Sequence, residues 1–312
     1  MERYPFSSRT SAHDLVVIPI LDTSVINRLA VDRKVGDPLM AVLNSGYAVR
    51  LTATNVEEII ATRNGNERDL LLDVCKELLK GKNAGIIRPF HELIEILISE
   101  FERRRSFDWR RVSLGLPEYE REVALRELIN DELSEKQRKY AADVAAELEK
   151  VFRDARHHFE ELFQAGAESR PSSVADLVSR LQAGGGAFWG FGKVLYRRPS
   201  EVPPDEETVR RFVDSCPPFH ALLLALCVAQ YDRCIRESDK RGQPAGRNDL
   251  FMSVYLPYCD EFISDDRDQQ NCLREVASLA KLAVKVRWFK EFCGSFEVDQ
   301  LSSGAGCKKT AS

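Results

Sequence analysis

The sequence predicts an α/β fold in which helices flank a parallel sheet, and three observations support this class. Residues 15–21 form a run that is apolar on both faces, which is typical of a buried parallel strand. Residues 22–24, Asp-Thr-Ser, are helix-starting types and precede apolar residues at helical spacing. The same order recurs with a strand at 47–52 and a helix that starts at Thr54. Alternation of strand and helix predicts right-handed crossovers in one sheet.

The other elements of this α/β unit lie in two separate parts of the chain. In the first part, the helix after residue 22 extends towards Val42 with a break at 36–38, and another helix covers 70–79. In the second part, we predict a helix opening at Asp249, and three elements follow it. These are a strand at 261–264, a helix at 268–283 and a last strand at 284–289.

From about residue 90 to 244 the apolar residues repeat at helical spacing only. We therefore predict a discontinuous α/β domain at 15–85 and 245–300, interrupted by an all-helical insertion at 86–244. Within the insertion, 118–163 is predicted to be one long amphipathic helix or two in series. The Gly/Ser-rich tail at 301–312 is predicted to be disordered.

The composition is that of a soluble globular protein, with 44% hydrophobic and 30% charged residues. The net charge of −4 excludes a generally basic nucleic-acid coat, so a nucleic-acid ligand would require a local basic groove. The polar N-terminus and the short longest apolar run predict neither a signal peptide nor a membrane partner. Eight scattered cysteines without a CxxC pair favour free thiols in a reducing compartment, which predicts a cytoplasmic protein.

Four acidic residues stand at the ends or beginnings of apolar runs: Asp22, Glu58, Asp249 and Asp266. Acids gathered at the carboxyl ends of parallel strands are a usual way to hold Mg²⁺ or Mn²⁺. Three or four converging carboxylates repel each other, and one proton or a divalent cation must relieve that repulsion. The pattern indicates metal-dependent chemistry on a phosphodiester.

The four motifs that contain these acids resemble those of the PIN-domain nucleases. Leu21-Asp22-Thr23-Ser24 is similar to the family's first motif, and the helix carrying Glu58 is similar to its second. Asn248-Asp249-Leu250 resembles the third motif, and Ser264-Asp265-Asp266 resembles the fourth. The resemblance covers about two-fifths of the chain and implies a PIN-like sheet. It says nothing about residues 86–244.

The resemblance implies a Mg²⁺- or Mn²⁺-dependent endoribonuclease with these four acids as its catalytic and metal-binding residues. Asp22, Glu58 and Asp249 are the expected ligands, whereas Asp266 is expected to orient water or hold a second ion. Thr23 and Ser264 are expected to hydrogen-bond the ligating acids. Glu57 competes with Glu58, because one residue of slip on a helix turns a side chain by roughly 100°.

Each acid also has a purely structural interpretation, since an aspartate after a strand is often an N-cap or a turn residue. Asp265 and Asp268 compete with Asp266 for the fourth position. Arg197 and Arg198 are the candidate substrate-binding residues, because they follow a glycine-aromatic segment at 184–193. That segment is interpreted as a loop, either a mobile lid that stacks on bases or aromatic residues anchoring a loop on the core.

The predicted function is therefore an endoribonuclease of toxin-like or defence-associated type, with RNA as substrate and a protein regulator or a second copy of the chain as candidate partner. One alternative is a catalytically silent PIN-like module that binds RNA or protein. Another is a structure-specific DNA nuclease related to the flap endonucleases. A haloacid-dehalogenase-like phosphatase is disfavoured, because Asp22-Thr23-Ser24 lacks the second aspartate of that chemistry.

Overall fold

The computed structural model describes residues 17–31, 38–62, 64–81, 84–104, 106–114, 171–183, 187–196, 204–232 and 250–295. The predicted long helix at 118–163 and the tail at 301–312 lie outside these residues. The predicted fold class is confirmed, since the described chain forms a five-stranded, all-parallel sheet with helices against it.

The sheet contains β1 (Pro19–Leu21), β2 (Arg50–Thr52), β3 (Gly85–Ile87), β4 (Glu261–Ser264) and β5 (Lys285–Trp288) in the order β3-β2-β1-β4-β5. β1 is central and pairs with β2 through Ile20 and Arg50 and with β4 through Ile20 and Phe262. The predictions of β1, β2, β4 and β5 are confirmed within a few residues. β3 has no counterpart in the sequence prediction, and the predicted domain boundary at residue 86 falls inside it.

The helices of the first layer are α1 (Thr23–Val31), α2 (Pro38–Asn44), α3 (Ala53–Ala61) and α4 (Gly65–Leu79). Of these, α1 directly follows β1 and α3 directly follows β2. α3 begins with a capping box, in which the Thr52 hydroxyl accepts from the Asn55 backbone and the Asn55 side chain accepts from the Thr52 backbone. Asn64 caps α4 in a similar way by accepting from the backbone N–H of Glu67. The first cap starts α3 at the carboxyl end of β2, and the second starts α4 after the turn that follows α3.

The remaining helices are α5 (Phe90–Arg103), α6 (Trp109–Leu114), α7 (Val174–Ala183), α8 (Ala187–Tyr196), α9 (Glu206–Ser215), α10 (Pro217–Tyr231), a 3₁₀ helix (Met252–Tyr258) and α11 (Arg267–Leu279). The described residues of 90–244 contain no strand, whereas the first residues of the predicted insertion at 86–244 belong to β3. α10 is buried almost all round and lies at the centre of this layer. No single described helix is long and apolar enough to cross a bilayer, and only the pair α9 and α10, bent by 106°, passes such a test together.

Two apolar cores cover the two faces of the sheet, because successive side chains of a strand point in opposite directions. Ile20 and Phe262 belong to the core formed with α5, α7 to α11 and the 3₁₀ helix. Leu21 and Ile263 belong to the core formed with α1 to α4. The described helices of 86–244 therefore share an apolar core with Ile20 and Phe262 of the sheet, and the division into domain and insertion stays a prediction.

The interpretation of 184–193 as a loop is wrong for residues 187–193, which belong to α8. Phe188, Trp189 and Phe191 are buried in the core. Gly192, one of the glycines that suggested a loop, has a packing role. A Cβ on this residue would lie 2.5 Å from Val209 Cγ1 of α9. Glycine thus permits α8 and α9 to approach closely, and the aromatic side chains anchor a helix instead of forming a lid.

Candidate functional site

The centre of the sheet contains a topological switch point. From β1 the chain moves outward through β2 to β3, whereas β4 and β5 lie on the other side of β1. Because all five strands are parallel, their carboxyl ends share one edge. In open α/β sheets, ligands bind in the crevice at that edge where the strand order reverses. Asp22 follows β1 and Asp266 follows β4, so both lie at this crevice.

Asp22 is a buried carboxylate held by hydrogen bonds, with only 6% of the residue exposed. The backbone N–H and the hydroxyl of Ser24 donate to Asp22 Oδ2 at 3.0 and 2.7 Å, and Gln269 Nε2 donates to Oδ1 at 3.1 Å. Within the described ranges, no lysine, arginine or histidine forms an ion pair with it. A buried charge is normally paired with a cation or coordinated to a metal, whereas the described partners of this carboxylate are three uncharged hydrogen-bond donors.

Glu58 is the second acid at this edge, and a relay of polar side chains orients it. Thr23 Oγ1 donates to Glu58 Oε2 at 2.7 Å, and Asn55 Nδ2 donates to Thr23 Oγ1 at 2.9 Å. Asn55 is in turn fixed by the hydroxyl of Thr52 at 2.7 Å. The end of β2 therefore controls the position of a carboxylate beside the end of β1.

The pKa of the Glu58 carboxyl is raised above its ordinary value. The main cause is the surrounding protein, which removes water from the carboxyl, and the negative charge of Asp22 adds to the effect. The hydrogen bond from Thr23 opposes the shift. Although Glu58 as a whole remains exposed, the two acids are close enough to repel one another.

The structure also separates Glu58 from its competitor Glu57. Burial raises the pKa of Tyr255, and the charge of Glu57 contributes to that shift. Glu57 is therefore near the 3₁₀ helix, whereas Glu58 is near Asp22. Of the two glutamates, Glu58 is the one that the structure brings to the first acid.

Asp266 has a clear structural role as the N-cap of α11. Its Oδ1 accepts from the backbone N–H groups of Asp268 and Gln269 at 2.8 and 3.0 Å, while the residue itself is exposed. Ser264 Oγ accepts from the backbone N–H of Asp266 at 3.0 Å and lies 3.4 Å from Ser24 Oγ. Ser264 thus supports the backbone of the fourth motif, and its expected hydrogen bond to a ligating acid stays a prediction.

Asp265, the competitor of Asp266, is occupied by cationic and polar partners. Arg28 Nε lies 3.0 Å from Asp265 Oδ2, and Trp288 Nε1 donates to Oδ1 at 2.6 Å. Its backbone N–H donates to Ser24 Oγ at 2.9 Å. Asp265 therefore joins α1, β4 and β5, and its charge is compensated by Arg28, whereas Asp22 has no cationic partner among the described residues.

Three predicted site residues, Asp249, Arg197 and Arg198, lie outside the described residues. The segment that begins at Leu250 is described and buried, and Thr52 Oγ1 contacts Met252 Sδ at 3.9 Å near the end of β2. Across the described parts of the chain, no group of three or more His, Cys, Asp or Glu side chains is arranged to hold a metal ion. The described part of the site consists of Asp22 and Glu58 with their partners.

Sequence reasoning missed Gln269, which contacts Asp22 from a position 247 residues away. A local signal exists, since Gln269 is the third residue after the N-cap Asp266, where a glutamine often completes a capping box. Here the Gln269 side chain instead donates a hydrogen bond to the carboxylate of Asp22, which follows β1. The sequence indicated Ser24 only as part of the first motif, Leu21-Asp22-Thr23-Ser24. In the structure its hydroxyl donates to the Asp22 carboxylate and accepts from the backbone N–H of Asp265.

Comparison of the chain with protein-family models, curated proteins and solved structures found no match.

Proposed function

We propose that this protein is a divalent-metal-dependent endoribonuclease with a PIN-like catalytic domain. The single observation that carries the proposal is the state of Asp22, a buried carboxylate without a described counter-cation, beside the acid Glu58 at the switch point of a parallel sheet. Two neighbouring acids in that environment need a positive charge. The edge of the sheet is where a ligand would supply it.

The donor set fits Mg²⁺ or Mn²⁺, both of which prefer carboxylate oxygens. Asp22 Oδ2 accepts two described hydrogen bonds and Oδ1 accepts one, which leaves a lone pair on Oδ1 for a cation. Asp22 and Glu58 would hold the ion. When bound, such an ion supplies Lewis-acid stabilisation of the charge that develops on a phosphate.

The chain's own residues have separate roles in this proposal. Ser24 and Gln269 fix the Asp22 carboxylate from two sides, and Thr23 fixes that of Glu58. Asp249 is the proposed third ligand, because Leu250, to which it is bonded, begins the segment that contacts the end of β2. Asp266 keeps the proposed task of orienting water through its second carboxylate oxygen, while Oδ1 caps α11.

The substrate that fits this proposal is single-stranded RNA, and residues 86–244 are the proposed insertion that shapes its access. The test is a cleavage assay with labelled RNA and DNA of the same sequence, each with Mn²⁺ or EDTA. The variants are Asp22→Asn and Asp249→Asn, with Asp73→Asn as the control. Asp73 lies on α4, its side chain is 55% exposed, and it pairs with Lys76 away from the site.

We expect Mn²⁺-dependent cleavage of RNA that both site variants abolish and Asp73→Asn preserves. Cleavage of DNA with equal or greater efficiency would assign the site to a DNA nuclease instead. RNA binding without cleavage of either substrate would favour a silent binding module. Cleavage that persists in EDTA, or in both site variants, would overturn the proposed function.

A further inference from the structure

A surface pocket of about 440 Å³ lies at the same edge of the sheet as Asp22. It is next to the carboxyl end of β5, which is separated from β1 by β4. It is lined by Arg267, Trp288, Lys290 and Glu291. Trp288 is the last residue of β5 and Arg267 is the first residue of α11, which follows β4. The pocket is therefore built by the elements that flank the acidic crevice.

Two of the four residues that line the pocket are cations and a third is an aromatic residue. The guanidinium carbon of Arg267 lies 4.5 Å from the centroid of the Trp288 ring. In the described structure neither Arg267 nor Lys290 has a carboxylate partner. The negative charge of Glu291 is partly offset, because Arg274 Nη2 lies 3.9 Å from Glu291 Oε2. Two exposed cations thus face solvent in a chain of net charge −4.

A continuous series of hydrogen bonds connects the pocket wall to the acids. Trp288 Nε1 donates to Asp265 Oδ1 at 2.6 Å, and the Asp265 backbone donates to Ser24 Oγ at 2.9 Å. The same hydroxyl donates to Asp22 Oδ2 at 2.7 Å. The aromatic ring is consequently held in a fixed position beside the acidic crevice by the residues that orient Asp22.

We propose that this pocket binds the single-stranded RNA next to the bond that is cleaved, with Arg267 and Lys290 on a phosphate and the Arg267–Trp288 pair as a stacking surface for a base. The inference rests on the proposed function, since it names the substrate subsite of that site. An RNA strand that approaches Asp22 and Glu58 meets negative charge. Two cations beside the acids offset that repulsion, and a planar guanidinium on an indole suits stacking.

The test measures binding of a fluorescein-labelled single-stranded RNA by anisotropy in EDTA, so that binding is observed without cleavage. The test variant is the double substitution Arg267→Ala with Lys290→Ala. The matched control is Lys285→Ala, an exposed lysine at the opposite end of β5. Far-UV circular dichroism and thermal unfolding verify that both variants are folded.

The double variant is expected to bind RNA about tenfold or more weakly, whereas Lys285→Ala binds like the wild type. The slope of log K against log salt is expected to fall by about 0.7 for each phosphate that the variant no longer neutralises. No binding of RNA by the wild type, unchanged binding by the double variant, or an equal weakening in Lys285→Ala would each overturn the proposal. A nucleoside monophosphate that competes as strongly as the oligonucleotide would also overturn the assignment to a strand.

Cleavage assays with Mn²⁺ separate this inference from the proposed function. If the wild type cleaves RNA and the double variant has an unchanged KM, the pocket assignment fails while the nuclease proposal stands. If binding depends on the pocket but nothing is cleaved, the nuclease proposal fails and the pocket remains an RNA-binding site.

Discussion

Two aspartates that follow neighbouring strands, Asp22 after β1 and Asp266 after β4, have different surroundings. Asp22 is buried and receives hydrogen bonds from Ser24 and Gln269, and no described cation pairs with it. Asp266 is exposed, and its carboxylate caps α11. Both aspartates accept backbone N–H groups at the start of a helix, but only Asp22 is buried, and a buried charge is costly unless it is hydrogen-bonded and paired or coordinated to a metal. An aspartate that follows a parallel strand can therefore be a structural residue, as Asp266 is, or a candidate catalytic one, as Asp22 is.

The largest expected difference is in activity. Asp22→Asn is expected to reduce RNA cleavage by about 100-fold or more, since loss of a metal ligand should exceed the effect of losing its supporting hydrogen bonds. Asp266→Asn retains a good N-cap and should reduce cleavage by less. Initial rates at saturating Mn²⁺ measure both. An Asp266→Asn variant as inactive as Asp22→Asn would show that both acids are equally important for cleavage and would contradict the proposed difference between them.

The support of Asp22 is tested by the adjacent glutamines of α11. Gln269→Ala removes the donor to Asp22 Oδ1 and is expected to weaken Mn²⁺ affinity by roughly 10- to 100-fold. Gln270 is equally buried but donates to the backbone oxygen of Ser264, so Gln270→Ala should reduce stability with little change in Mn²⁺ affinity. Calorimetric titration of Mn²⁺ measures the difference. Equal affinities in the two variants would contradict a positioning role for Gln269.

The structural role of Asp266 predicts a smaller effect on stability. Asp266→Ala is expected to lower the free energy of unfolding by about 1 kcal/mol, because two backbone N–H groups of α11 lose their acceptor. Asp266→Asn should be close to the wild type. Urea unfolding followed by circular dichroism measures both, and an unchanged midpoint in Asp266→Ala would show that the cap is unimportant.

The smallest expected effect is a change in the free energy of unfolding that depends on the charge of Glu58 and therefore on pH. Its pKa is raised in the folded protein, so the folded state holds the proton more tightly than the unfolded chain, and ionised Glu58 is unfavourable at neutral pH. Glu58→Gln should therefore be more stable than the wild type at pH 7. This gain should decline as the pH falls through the raised pKa of the folded state and disappear below the ordinary glutamate pKa, where Glu58 is protonated in both states.

Urea unfolding at pH 4 and pH 7 measures this difference, with Glu57→Gln as the neighbouring control. Mn²⁺ should reduce the gain at pH 7, because the cation offsets the repulsion between Glu58 and Asp22. A gain that is the same at both pH values would show that the carboxyl charge is not its cause.

The sheet could be predicted because β1 and β4 are apolar runs buried on both faces, which is a local property of the sequence. β3 was missed because its apolar run consists only of Ile86 and Ile87, too short for a periodic signal, whereas β1 ends the longer apolar run 15–21. The helix α8 was missed because its glycines indicate a break, and the reason for Gly192, its close approach to Val209, is created only by folding.

The candidate site could be predicted only in part, for a similar reason. The acids and Thr23 belong to short motifs that can be recognised locally. The surroundings that distinguish Asp22 from Asp266 come from Gln269 and from burial between β1 and β4, which are created by folding. A side chain that is distant along the chain leaves no periodic pattern, so its hydrogen bond to Asp22 could not be derived from spacing.

The most direct test of the central claim is a calorimetric titration of Mn²⁺ into the wild-type protein, Asp22→Asn and Asp266→Asn at pH 7. If Asp22 and Glu58 hold the ion, the wild type and Asp266→Asn bind Mn²⁺ saturably and Asp22→Asn does not. Absence of saturable binding in the wild type, or binding that Asp22→Asn leaves unchanged, would contradict the account.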